Sequence, residues 1–151
     1  SANAPVKSIS NETTFGEDTA DADLLDGHLW RLSEKVADRA KARALAGRVV
    51  TLKLKHSDHR TLTRRHALRE PTQLADTLYR AARALLDQAP QGAAWRLIGV
   101  GLSELGPATG ADRAGDLLDT QAPRRAGAER ATDAIRARFG PDSIVKGRAL
   151  R

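Results

Sequence analysis

The sequence predicts an α+β domain, a four-stranded sheet with two helices on one face in the order β-α-β-β-α-β, followed by a flexible tail with a short helix. Three observations lead there. Two segments repeat apolar residues at steps of three and four, the period of a helix that buries one stripe. Between them, Val50, Leu52 and Leu54 alternate with Thr51, Lys53 and Lys55, the period of a half-buried strand. Beyond the second helical segment, Trp95 to Leu105 is a mostly apolar run with two glycines, suited to a buried strand.

Residues 1–5 are small, polar and without period, and read as linker or scar. Lys7 to Phe15 (KSISNETTF) is rich in hydroxyl and β-branched side chains and reads as an edge-like strand. From Asp21 to Ala46, a helical stripe is formed by Leu25, Leu29, Leu32, Val36 and Ala40, and Gly47 is expected to stop that helix. Ser57 and Asp58 supply a turn into the next strand, from Arg60 to His66. Pro71 is expected in the first turn of the second helix, whose stripe is Leu74, Leu78, Ala81, Ala82, Leu85 and Leu86. Pro90 and Gly92 close it. The domain is thus expected over 6–105, a flexible linker over 106–127, and a C-terminal tail over 128–151 with a short helix from about Ala128 to Phe139.

At 151 residues the chain fits one domain plus flanking segments. Aromatics make up only 3% of it, so the core must be aliphatic and a mechanism that stacks bases on rings is disfavoured. The absence of cysteine excludes disulfides and Cys-ligated zinc and fits a reducing cytoplasm. No apolar run approaches the ~20 residues that span a bilayer, and no signal-peptide pattern is present, so a soluble cytoplasmic protein with no membrane partner is expected. The net charge of +6 favours an anionic partner. It is unevenly spread: Arg48 to Arg69 holds seven Lys or Arg against one Asp, whereas Glu12, Glu17, Asp18, Asp21, Asp23 and Asp26 are uninterrupted by any cation. A polarised surface is expected. No predicted helix carries two of His28, His56, His59 and His66 at ligand spacing, and the Asp21, Asp23 and Asp26 cluster sits where a helix start favours acidic residues, so neither metal nor catalytic site is expected.

Four pieces occur in characteristic order and spacing: Lys7 to Phe15 (KSISNETTF), Thr51 to Lys55 (TLKLK), Thr61 to Arg64 (TLTR) and Arg96 to Ser103 (RLIGVGLS). Together they resemble the little-finger domain of Y-family translesion DNA polymerases, nearest the bacterial polymerase IV branch, over about 6–105. Ala134 to Gly140 (AIRARFG) also resembles the end of some bacterial members. The resemblance implies a domain that lies in the major groove of primer-template duplex DNA and grips phosphates without doing chemistry. It also implies that catalysis, with its magnesium, belongs to a palm missing from this chain, and that the remainder of a polymerase is a partner. No cofactor is expected in this fragment, which alone should be inactive.

The expected DNA contacts follow from side-chain chemistry. Lys53 and Lys55 project beside Thr51 from one strand face; Thr61, Thr63 and Arg65 share a face of the next strand and offer hydroxyl and guanidinium donors to phosphate. Arg64 has the opposite parity and is included because the family motif contains it. Gly99 and Gly101 either let DNA approach the last strand closely or bend the sheet. Many relatives carry further Arg on this strand, whereas here Leu97 and Gly101 take the outward positions, leaving Arg96 and Ser103 as its donors. Ser8 and Ser10 complete the set. Leu117 and Leu118 stand where family members often carry a peptide that docks on the sliding clamp, but the usual Gln is absent and an ordinary helical turn is the alternative. Two rival functions remain: an RNA-binding module of similar topology, and a clamp-directed or other protein-interaction module.

Overall fold

The computed structural model describes residues 7–112 together with Glu129 and Asp133. Six elements follow in the order β1 (Ser8–Thr19), α1 (Ala22–Ala42), β2 (Leu45–Lys55), β3 (Thr61–Thr72), α2 (Ala75–Asp87) and β4 (Trp95–Pro107). The β-α-β-β-α-β order is as expected. All neighbouring strands are antiparallel, and the sheet order is β1-β4-β2-β3, so the last strand lies between the first and second.

Strand alternation divides the sheet into two faces. Ile9, Val50, Leu52, Leu54, Ile98, Val100 and Leu102 pack with Leu25, Leu29, Val36 and Ala40 of α1 and Leu78, Ala82 and Leu85 of α2 in one core. The helices cover that face alone. Trp30 stands edge-on to Tyr79 at 5.4 Å where α1 meets α2, and the buried Asp26 joins the same helices by accepting from the Tyr79 hydroxyl and from Arg83 Nη1 at 2.8 Å.

Asp21 starts α1 by accepting from the amides of Asp23 and Leu24 at 3.0 and 3.2 Å. The end of α1 differs from expectation. The helix stops at Ala42 and Ala44 takes the left-handed conformation (φ 54°) that glycine usually supplies. Gly47 instead lies inside β2, where a Cβ would stand 2.5 Å from Leu102 Cγ. Pro71 also departs from expectation, because β3 continues through Thr72 and α2 begins only at Ala75. Proline fits there because β3 is an edge strand.

α2 has no side-chain cap from its own N-terminal residue, Leu74. Its amides at Ala75 and Asp76 donate instead to the two carboxylate oxygens of Glu129, at 3.0 and 3.2 Å. Glu129 and Asp133 both have helical backbone and both accept from Lys41 Nζ at 2.6 Å. β4 runs two residues beyond the expected domain limit. Asp112 then accepts from Thr72 Oγ1 at 2.6 Å and from the Gln73 amide at 3.2 Å. The first part of the expected linker, 106–112, is thus the end of β4 and a turn whose Ala108 amide donates to the Ala44 carbonyl; its remainder, 113–127, the 1–5 segment and, apart from Glu129 and Asp133, the tail helix expected from Ala128 to Phe139 lie outside the described residues.

Candidate nucleic-acid interface

The helix-free face of the sheet is built in rows fixed by register. One row reads Ser10, Gly101, Thr51 and Arg65; the next reads Glu12, Gly99, Lys53 and Thr63; a third reads Thr14, Leu97, Lys55 and Thr61. Ser8 and Ser103 begin a fourth, with Val49 and Ala67. Eleven of the thirteen expected DNA contacts therefore share one surface about 14 Å wide, three inter-strand spacings of ~4.8 Å. Neighbouring rows are about 6.6 Å apart along each strand.

No aromatic side chain stands on this face among the described positions. Phe15 has the parity of Ile9 and packs on His28, with ring centroids 5.0 Å apart. Trp95 is buried against the His56 ring at 4.3 Å. The surface offers hydroxyls, ammonium groups, a guanidinium and two glycines, which suits phosphate oxygens rather than base faces.

The surroundings of Gly99 and Gly101 differ. A Cβ at Gly99 would stand 3.1 Å from Glu12 Cβ, whereas one at Gly101 would meet Ser10 Cβ only at 3.5 Å, an ordinary contact. The pairing runs without a register shift through both glycines on both sides, so neither marks a break in the ladder.

A family described as "impB/mucB/samB family C-terminal domain" matches residues 6–117. The chain belongs to this family, the little-finger domain of Y-family polymerases. It is 47% identical over 146 residues to a protein of Caulobacter vibrioides named DNA polymerase IV, covering 96% of this chain and 36% of that protein. A protein of the same name from Brucella melitensis is 45% identical over 142 residues, covering 94% of this chain and 32% of that one. The chain thus spans about a third of the length of these relatives. Among solved structures, "Complex of beta-clamp processivity factor and little finger domain of PolIV" aligns with a TM-score of 0.54 and 25% identity over 73% of this chain and 97% of that one. A binary complex of Dbh DNA polymerase aligns with a TM-score of 0.57 at 17% identity, covering 67% of this chain and 31% of that one, which supports the fold alone.

The two remaining candidates of this little finger are placed elsewhere. Arg64 lies opposite Leu52 and projects from the other side of the edge strand, its Nη1 donating to the Thr63 carbonyl at 3.1 Å. The only register shift between β2 and β3 lies between Gly47 and Val49, so no bulge returns Arg64 to the row. Arg96 has the parity of Ile98, and its Nε donates to Asp18 at 2.8 Å. Leu117 and Leu118 lie outside the described residues.

The acidic segment does not form a separate pole. Asp21 caps α1, Asp26 is buried between the helices, Asp18 holds Arg96, and Glu12 stands on the open face with Lys53 Nζ 3.4 Å away. Glu104, which sequence reasoning passed over, takes a left-handed conformation (φ 53°) and lies 3.4 Å from Arg48 Nη2 and 3.7 Å from Arg65 Nη2. At the hairpin tip Asp58 accepts from the backbone amide and Nε of Arg60, and the amide bond above all lowers its pKa. Lys55 has no ion-pair partner among the described residues. Nor do three His, Asp or Glu side chains converge there as a metal site, and no helix among them is long and apolar enough to cross a membrane.

Proposed function

We propose that this chain is the duplex-gripping part of an error-prone translesion DNA polymerase IV, holding primer-template DNA through its phosphates without reading sequence. The observation that carries the reading is the convergence of Thr51, Lys53, Lys55, Thr61, Thr63 and Arg65, with Ser8, Ser10 and Ser103, on one sheet face free of helices. Lys53 and Lys55 are about 6.6 Å apart. Two ammonium groups at that spacing can serve neighbouring phosphates along one DNA strand. Backbone contacts of this kind position a duplex while letting it slide. Gly101 leaves the strand backbone open to close approach, whereas Arg64 and Arg96 have the parity of the opposite side and lie outside this grip. The chemistry of nucleotidyl transfer, with its magnesium, then belongs to a catalytic core outside this chain, which works in the bacterial cytoplasm at the nucleoid. The sliding clamp is a second proposed partner, because the little finger of PolIV named above was solved in complex with it.

The test is fluorescence anisotropy of the chain with primer-template duplex, single-stranded DNA and RNA across a salt series. Duplex is expected to bind best, with no sequence preference and a steep fall with salt. The K53A/K55A double variant should weaken binding to all sequences alike and reduce the slope of log affinity against log salt by up to about two. A preference for single-stranded RNA would favour the RNA-module reading, against which the aromatic-free face argues.

A further inference from the structure

Two carboxylates stand among the cations of the open face, and each is paired with a cation that a phosphate would use. Glu12 and Lys53 belong to the same row, two strands apart, separated by Gly99. Because Gly99 has no side chain, Lys53 Nζ crosses β4 to within 3.4 Å of Glu12 Oε2. Glu104 stands between Arg48 and Arg65, at 3.4 and 3.7 Å. All these side chains keep substantial solvent exposure, between 43 and 69%, so the pairs are open to exchange.

We propose that Glu12 and Glu104 are affinity-limiting residues of the duplex-gripping face, each occupying a cation until a DNA phosphate takes its place. The inference rests on the reading that this face grips duplex. Its physical content concerns what binding displaces. A lysine screened by mobile ions releases a counterion to solution when phosphate arrives, and each such release steepens the salt dependence. A lysine already held by a carboxylate exchanges one fixed anion for another, and the displaced carboxylate stays beside the phosphate and repels it. The grip is therefore weaker, and less sensitive to salt, than the cations on the face would give by themselves. A polymerase domain that must release each phosphate as the duplex advances is served by such a restrained hold.

The experiment compares duplex affinity and salt slope for the wild-type chain, E12Q, E104Q and D87N. Asp87 is exposed on α2, away from the open face, and D87N removes the same formal charge. E12Q and E104Q are each expected to tighten duplex binding about three- to tenfold at low salt, and to steepen the slope by up to about one. The gain from E12Q should disappear when Lys53 is Ala, and D87N should bind as wild type. The proposal is overturned if E12Q and E104Q match wild type in both affinity and slope, or if D87N gives the same gain. If neither wild type nor the Gln variants bind duplex at the lowest salt, the grip reading itself fails and this inference with it.

Discussion

Glu129 holds Lys41 and the start of α2 at once: one carboxylate oxygen accepts from Lys41 Nζ at 2.6 Å and from the Ala75 amide at 3.0 Å, while the other accepts from the Asp76 amide. A residue 54 positions beyond Ala75 thus does the work that a Ser, Thr or Asp immediately before the helix usually does. E129A should destabilise the domain by about 1–2 kcal/mol, the usual worth of a lost cap. Hydrogen exchange should quicken most at Ala75 and Asp76. Burial works to lower the Lys41 pKa, but Glu129 and Asp133 together outweigh it and raise the value above 10.5. The contribution of Lys41 is therefore fully present below that value and is lost as pH rises through the higher folded-state pKa. Denaturant unfolding of wild type and K41M from pH 8 to pH 11 checks this, the difference between them narrowing only at the alkaline end.

Gly47 and Gly101 should respond in opposite ways to a side chain. A Cβ at Gly47 would press to 2.5 Å on the fully buried Leu102 and to 2.9 Å on Leu105, so G47A should cost about 1–3 kcal/mol through overpacking. Gly101 has ordinary room, so G101A should change the melting temperature little. G101R adds a guanidinium to the row of Thr51 and Arg65 and should tighten duplex binding, with a slope steeper by about one. Thermal denaturation and the salt-series titration read the two effects separately.

His28 should make the domain less stable in mild acid. Burial chiefly, and Arg31 secondarily, lower its pKa below 6.5. Arg31 Nη2 stands 3.2 Å from His28 Nδ1, and since a guanidinium only donates, that nitrogen must accept and the neutral ring carries its proton on Nε2. The contribution from neutral His28 is present above pH 6.5 and is lost as pH falls through the lower folded-state value. H28F should flatten the pH dependence of stability below pH 6.5 while keeping ring contact with Phe15. An unchanged acid limb in H28F would exclude His28 as its source.

The periodic features were legible from sequence alone. The stripe of α1, the alternation of β2 and the shared parity of Thr61, Thr63 and Arg65 all appear as read, because one period fixes every side chain of an element once it forms. Punctuation was less legible. Gly47 and Pro71 look like helix-boundary residues, yet tertiary packing puts one under Leu102 and the other on a sheet edge. Least legible were the contacts set by strand order. Nothing local tells that Glu12 will meet Lys53: that requires β4 to lie between β1 and β2, and a glycine at the crossing point. The cap from Glu129 is hidden for the same reason, since it joins positions with no sequence relation.

Arg39 of α1 donates from Nη1 to the Ser10 carbonyl and to the Asn11 side chain, both at 2.7 Å, on the outermost strand. At the opposite edge, Pro71 withholds an amide from β3, and Arg64, Arg65 and Arg69 crowd the same strand with charge. An open sheet is otherwise a template for a further strand from another molecule, the first step toward aggregation. Guarded at both borders, this sheet can leave its broad face bare for a ligand without inviting copies of itself to extend it sideways.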